Sequence, residues 1–269
     1  MKFEDAVNTL KVWEDFGLRN VRFSGGEPTI YPKLVDLVSF SKYLGTERIA
    51  LSTNGSASKY LYESLLRAGV NDFSISLDAC CSSAGDEISG VPGSWEKVAS
   101  NIKWISERAY TTVGVVFTES TVQTVGDIIE FAYSLGVSDI RIIPAAQIGN
   151  KKCFLNISEE IVNKYPILKY RIGNLKEGKP FRGLSDSDSH RCGLVLDDMV
   201  ISHGKHYPCV IYMREYGKNI GHINKHMRAD RFLWYANHDT HEDAICKNNC
   251  LDVCVEYNNK YENFHSRIQ

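Results

Sequence analysis

The sequence predicts an α/β fold of five parallel strands joined by helices, with a small cysteine-rich domain after it. Three observations predict it. Strand-like and helix-like apolar patterns alternate over residues 1–150. Each apolar strand finishes in a small or polar residue: Ser24, Thr53, Ser76, Thr118 and Pro144. Five of the eight cysteines, Cys192, Cys209, Cys246, Cys250 and Cys254, crowd the C-terminal third, while Cys80, Cys81 and Cys153 stand apart.

The elements follow in order. "FEDAVNTLKVWEDFG" carries apolar residues at helical spacing and stops at Gly17. "NVRFSGG" is a short strand and "KLVDLVSFSKYLG" a helix. "RIALSTNG" is strand and turn, and "SKYLYESLLRAGV" is helix. "DFSISLDA" is strand, followed by the helix "SWEKVASNIKWISER" with Ser94 as its N-cap. "TTVGVVFTES", "VGDIIEFAYSLGV" and "DIRIIPAAQ" complete the alternation. Strands linked this way are parallel with right-handed crossovers, and ligands gather at their carboxyl ends. Beyond Asn150 the pattern changes. A helix with a kink near Pro166 leads to a polar loop, a hairpin turning near Gly204, and a helix over "HMRADRFLWYANH". The domain boundary is expected near 150, giving domains 1–150 and 151–269.

Composition excludes little. The chain has 269 residues, 43% hydrophobic and 24% charged, with a net charge of −2, so no bulk charge favours a nucleic acid. No apolar run approaches the ~20 residues of a membrane span, and the N-terminus lacks a signal-peptide core. A cytoplasmic protein is expected. Clustered thiols in a reducing compartment bind metal or do chemistry more often than they form disulfides.

In "RFSGGEP", Gly25 and Gly26 can take positive φ and let a ligand approach the backbone. Pro28 pushes Glu27 toward extended geometry. The result is an exposed carboxylate beside open backbone groups, suited to a cationic amine. A tight strand-to-helix turn with a solvated Glu27 is the plain alternative.

The loop has companions. "STNG" at 52–55, "SISLDA" at 74–79 and "GVPGSWEKV" at 90–98 end or follow the next strands. In this order the set resembles the radical S-adenosylmethionine (radical SAM) superfamily. It is similar to the branch holding the molybdenum-cofactor GTP cyclase and the SPASM/twitch peptide-modifying enzymes. The resemblance implies a partial (β/α) barrel of parallel strands, with 1–150 as core and 190–256 as auxiliary domain. It implies that Gly25, Gly26 and Glu27 hold the methionine amine and carboxylate of SAM, with Pro28 shaping the loop. Ser76 and Asp78 would meet the ribose and methionyl parts, Thr53 and Asn54 would sit beside SAM or substrate, and Ile143 and Pro144 would lie against the adenine. Arg22 resembles a substrate-contacting arginine of the cyclase; the alternative is a rim arginine paired with a nearby acid.

The sequence departs from its family at one point. Radical SAM enzymes hold a 4Fe–4S cluster on a CxxxCxxC loop, and its open iron chelates SAM and supplies the electron that releases a 5′-deoxyadenosyl radical. No CxxxCxxC occurs here. In the family that loop precedes the GGEP strand by one strand–helix unit, so it is expected upstream of Met1. The chain is then a fragment, or has a late start, and as written should not form the radical; a pseudoenzyme that has lost its cluster is the other reading. Cys80 and Cys81 follow the wrong strand, and Cys153 is isolated.

Cys192, eleven residues, Gly204, four residues and Cys209 form a pattern that resembles the opening of a SPASM or twitch domain. "CKNNCLDVC" adds Cys246, Cys250 and Cys254, on one helix face or wrapped in a loop. The five thiols can supply four ligands for one auxiliary 4Fe–4S cluster. Zinc bound by Cys and His, or unligated thiols, are the alternatives. "HINKHMRADR" is locally basic and reads as a solvated helix face, with contact to an acidic substrate or leader peptide as the alternative.

The expected function is radical SAM modification of a peptide, protein or small-molecule substrate, with an electron donor such as flavodoxin or ferredoxin. A cyclase-like molybdenum-cofactor enzyme and a non-catalytic SAM- or peptide-binding module are the rivals. Against the cyclase, "VVFTEST" lacks a basic residue after its strand, and the Gly-Gly tail is missing.

Overall fold

In the computed structural model, residues 1–145 and 157–265 are described. Cys153 and the boundary expected near 150 lie outside the described residues. The chain divides into two compact units. One is Glu14–Lys179; the other joins Met1–Trp13 to Pro180–Gln269. The helix α1 (Phe3–Glu14) opens the chain.

The first unit is built on a parallel sheet. Its strands β1 (Asn20–Phe23), β2 (Arg48–Thr53), β3 (Asp72–Ser76), β4 (Tyr110–Phe117) and β5 (Asp139–Pro144) lie side by side in sequence order. The connections carry α2 (Leu34–Tyr43), α3 (Lys59–Ala68), α4 (Ser82–Ser89), α5 (Ser94–Ser106) and α6 (Val125–Ser134). Two helices, α7 (Glu159–Lys164) and α8 (Pro166–Glu177), follow β5. Pro166 ends one helix and starts the other, since a proline is tolerated in a first turn but not in a helix interior.

The two faces of the sheet differ because side chains alternate along each strand. Ile49, Leu51, Phe73, Ile75, Val113, Val115, Ile140 and Ile142 share one face and are fully buried. Burial of each such side chain contributes about 1.5–3 kcal/mol. The other face is small and polar: Ser52, Ser74, Ser76, Thr112 and Gly114, flanked by Arg22 and Arg141. A sheet covered on both faces would read as continuous apolar runs; this one does not.

Local geometry locks the strand ends. Gly55 has φ 77°, and a Cβ there would stand 2.9 Å from Ile75 Cγ2. Asn101 Nδ2 donates to the carbonyls of Gly55 (2.8 Å) and Ala57 (3.0 Å), fixing the "STNG" turn from α5. One expectation is corrected, and one helix was not foreseen. Ser94 is the first residue of α5 rather than its cap; Gly93 is the N-cap, and Asp86 accepts from the amides of Gly93 (2.6 Å) and Trp95 (3.0 Å). That carboxylate comes from α4, a helix the apolar pattern did not announce because none of its residues is buried.

The second unit holds the short helix α9 (Leu194–Asp197) and an antiparallel sheet of β6 (Val200–Ser202), β7 (Lys205–Tyr207) and β8 (Gly221–His222). The hairpin turns at His203–Gly204, as the spacing predicts. The helices α10 (Val210–Arg214), α11 (Met227–Asn237), α12 (Ala244–Asn249) and α13 (Asp252–His265) complete it. Among the described residues no helix is long and apolar enough to cross a membrane.

Candidate functional site

The carboxyl edge of the parallel sheet gathers the predicted loop residues. Glu27 is extended (φ −129°, ψ 110°), as Pro28 requires. Gly25 has φ 154°; Gly26 is not among the residues of positive φ. The Glu27 carboxylate is not a free exposed acceptor. Oε1 accepts from the Thr29 amide (3.0 Å), the Thr29 hydroxyl (2.5 Å) and the Thr53 hydroxyl (2.7 Å). Oε2 accepts from the Asn54 amide (2.7 Å) and keeps a lone pair for another donor. The half-buried carboxylate therefore caps its own loop and fastens it to the end of β2. This corrects the expectation of an exposed carboxylate.

Neighbouring strand ends carry the other predicted residues. Thr53 is buried, and Asn54 Oδ1 accepts from the Ser56 amide (2.9 Å) in a local turn. Ser76 is exposed at the end of β3. Asp78 accepts from the Val116 amide (2.9 Å), and burial pushes its carboxyl above the usual range. Ile143 and Pro144, adjacent on β5, face opposite sides; Pro144 is buried on the apolar side.

Two arginines stand on the polar face. Arg22 Nη1 donates to Ser52 Oγ (2.9 Å), and Arg141 Nη2 donates to Ser74 Oγ (3.3 Å). Burial, then the positive charges of Arg22 and Arg171, pull the Arg141 pKa down. Its Nε is buried without a hydrogen-bond partner among the described residues. Neighbouring cations that repel one another favour a nearby anion.

In the second unit all five C-terminal cysteines line one hollow of about 590 Å³, part of it open to solvent. Cys192 precedes α9, Cys209 caps α10, Cys246 lies in α12, Cys250 ends α12 in an extended conformation, and Cys254 lies in α13. The last three thus come from two helices and the break between them. Burial raises all five thiol pKa values, Cys254 to about 12. Cys192 Sγ accepts from Asn258 Nδ2 (3.7 Å) and Cys209 Sγ from the Tyr212 amide (3.4 Å). Cys246 Sγ lies 3.7 Å from His238 Nε2, beside Asp243.

Arg231 holds this cluster's walls. It is 1% exposed, which overturns the reading of "HINKHMRADR" as a wholly solvated face. Its guanidinium donates to the carbonyls of Val195 (2.7 Å), Tyr207 (2.9 Å), Pro208 (3.3 Å) and Asp198. These carbonyls belong to the segments that carry Cys192 and Cys209. Burial pulls its pKa down to about 10.

Residues 1–132 match the radical SAM superfamily. The chain belongs to that superfamily. A probable GTP 3',8-cyclase of Saccharolobus solfataricus is 31% identical over 183 residues, covering 66% of this chain and 59% of the relative. The chain thus spans little more than half the length of the curated relatives it matches. Among solved structures, Streptococcus suis SuiB bound to S-adenosylmethionine superposes with a TM-score of 0.59 at 17% identity, covering 87% of this chain and 58% of that one. The structure of anSMEcpe with bound AdoMet gives 0.56 at 18%, covering 86% and 68%. At these identities the two structures speak for the fold alone, a partial radical SAM barrel.

Within this radical SAM chain the structure brings Glu27, Thr53 and Asn54 into one hydrogen-bonded group, and the five cysteines around one hollow. The sequence reading missed Arg141, Arg231, His238 and Asp243. A lone charged residue inside an apolar strand, as in "DIRIIP", is the signal that could have found Arg141.

Proposed function

We propose that this chain contributes the SAM-binding edge and an auxiliary iron–sulfur centre to a radical SAM enzyme that modifies a peptide or protein. The observation that carries the reading is the Glu27 loop fastened to Thr53 and Asn54 at the carboxyl edge of a parallel sheet. There, Gly25, Gly26 and Glu27 Oε2 would take the amino-acid end of SAM. Thr53 and Asn54 steady them, Ser76 and Asp78 would face the ribose and methionyl parts, and Ile143 and Pro144 would lie near the adenine. SAM beside a reduced 4Fe–4S cluster supplies a hydrogen-abstracting radical. This sequence contains no CxxxCxxC loop for that cluster, so the activity is proposed for the protein to which the sequence belongs.

The five thiols fit an iron–sulfur cluster better than zinc. A tetrahedral zinc with Zn–S of about 2.3 Å needs its sulfurs about 3.8 Å apart. Among the described residues, the triads of ligand atoms within 4.8 Å of one another hold at most one sulfur each. Thiols around a wider, mostly apolar hollow suit a cluster whose four irons each take one. A flavodoxin or ferredoxin would deliver the electrons.

The fold's likeness to SuiB, one structure of which contains a precursor peptide, supports the peptide reading. The cyclase-like sequence relatives and the Arg22–Arg141 pair favour a phosphate-bearing substrate as the second reading. Titration calorimetry of SAM on the chain and on E27A tests the edge, and anaerobic reconstitution tests the hollow. About four irons per chain with thiolate-to-iron absorption are expected; zinc in their place, or SAM binding unchanged in E27A, rejects the corresponding half.

A further inference from the structure

Beside the cysteine hollow stands a second group of ligand atoms that contains no sulfur. One donor atom from each of His190, Asp239 and His241 lies within 4.8 Å of the other two. We propose that these three side chains form a mononuclear site for a borderline divalent cation such as zinc, separate from the cysteines.

The donors are set by backbone that is already pinned. The Thr240 amide donates to the His190 carbonyl (3.0 Å), and the Thr240 hydroxyl donates to the Ser189 carbonyl (2.9 Å). Arg191 Nη1 donates to the His238 carbonyl (2.8 Å). Residues 189–191 and 238–240 are thereby clamped together, with His190 on one side and Asp239 and His241 on the other. The His241 amide donates to Asp239 Oδ1 (2.8 Å), which fixes the carboxylate at the edge of the rings.

The nitrogens are sorted by their partners. His241 Nε2 is 3.0 Å from the Ser185 carbonyl. A carbonyl only accepts, so Nε2 carries the proton and Nδ1 keeps its lone pair. The nearby Thr240 hydroxyl gives its proton to Ser189, so it does not claim Nδ1. A ligating imidazole whose other nitrogen is held by a backbone carbonyl is the usual arrangement of a metal-bound histidine. His190 Nδ1 lies 3.0 Å from both Asp239 oxygens. Ligands about 2.0–2.2 Å from one zinc stand roughly 3.3 Å from each other, so the donors are near enough once one ring turns out of the stack and aims its lone pair at the ion.

An exposed His190–Asp239 pair alone adds little stability and needs no third partner. What it does not explain is the second imidazole, stacked at 3.9 Å between centroids and 21° between planes. The outer side of His190 is open, which leaves room for water as a further ligand. Two imidazoles and a carboxylate select zinc, cobalt, nickel or copper over magnesium or calcium.

The test uses untagged protein loaded anaerobically with iron and sulfide, equilibrated with zinc and desalted. About one zinc per chain beyond the iron is expected, with a nitrogen/oxygen shell in X-ray absorption that includes imidazole. In H190A and in D239N the zinc falls to background while iron is unchanged; His190 is exposed, so its loss leaves the fold intact. No retained zinc in the unaltered chain, sulfur in the zinc shell, or zinc kept by H190A each overturns the site. These readouts do not depend on SAM binding, and sulfur in the zinc shell would place the zinc at the cysteines instead.

Discussion

The Thr53 hydroxyl donates to Glu27 Oε1 at 2.7 Å, joining the loop after β1 to the last residue of β2. Glu27 therefore positions backbone before it touches any ligand. T53V removes this hydrogen bond together with those to the Gly55 amide (3.2 Å) and the buried Tyr62 hydroxyl (3.3 Å), and is expected to lower stability by about 1–2 kcal/mol. E27A strands the Thr29 and Asn54 amides as well, and a loss of about 2–3 kcal/mol is expected. E27Q does not rescue it, because an amide Nε2 in place of Oε2 would face the Asn54 N–H donor to donor. Urea unfolding of the three variants checks the order. An E27Q as stable as the unaltered chain would show that Oε2 carries no load.

Arg231 is the fastening of the second unit. Four carbonyls from the segments of Cys192 and Cys209 accept from one buried guanidinium. R231M leaves these carbonyls unpaired, and a loss of at least about 3 kcal/mol is expected. R231K recovers little, since an ammonium cannot reproduce the planar fork. Iron uptake should fall with stability in both variants. Full iron loading in R231M would remove Arg231 from the scaffold of the cysteine hollow.

How much of this was legible depends on what carried each element. The five strands and their parallel direction followed from alternation, because burial of one sheet face writes a period into Ile49–Leu51, Phe73–Ile75 and Ile140–Ile142. The helix α4 was not legible, since none of its residues is buried and no apolar stripe marks it. The cysteines announced a metal centre by count and spacing, but not that Cys250 breaks the helix between Cys246 and Cys254. Arg231 looked like one charge among many in a basic stretch. Only the fold shows that its side chain points inward, toward carbonyls more than twenty residues away.

Stability should fall in mild acid through His206. The ring is fully buried on β7, 3.5 Å from Arg231 Nη1, with Asp230 at 4.0 Å from Nε2 and His222 nearby. Burial, then the Arg231 charge, depresses its pKa from 6.5 to about 4, against the weaker opposite pull of Asp230. The unfolded chain therefore binds the proton first. The contribution of the neutral ring is fully present above pH 6.5 and is lost as pH falls toward 4. Its size is on the order of 3 kcal/mol. H206F should remove this part of the slope between pH 6.5 and 4, while the general carboxylate titration remains. Identical slopes in denaturant titrations of both proteins would contradict the assignment.

Arg141 presents a trade between stability and binding. Its guanidinium is mostly buried on the polar sheet face, bonded to Ser74 at 3.3 Å, with Nε unpartnered among the described residues and the charges of Arg22 and Arg171 nearby. Replacing a poorly satisfied buried cation by an apolar side chain of similar length is often neutral or stabilising. R141M is therefore expected to melt at the same temperature as the unaltered chain or higher. It should also lose most of the melting shift that an added polyanion produces. Inorganic triphosphate is the probe, and R67M, which removes an exposed arginine of α3, is the control that keeps the shift. If R141M is destabilised and still responds fully to triphosphate, the guanidinium serves the fold rather than an anionic substrate. The phosphate-bearing reading would then rest on Arg22 alone.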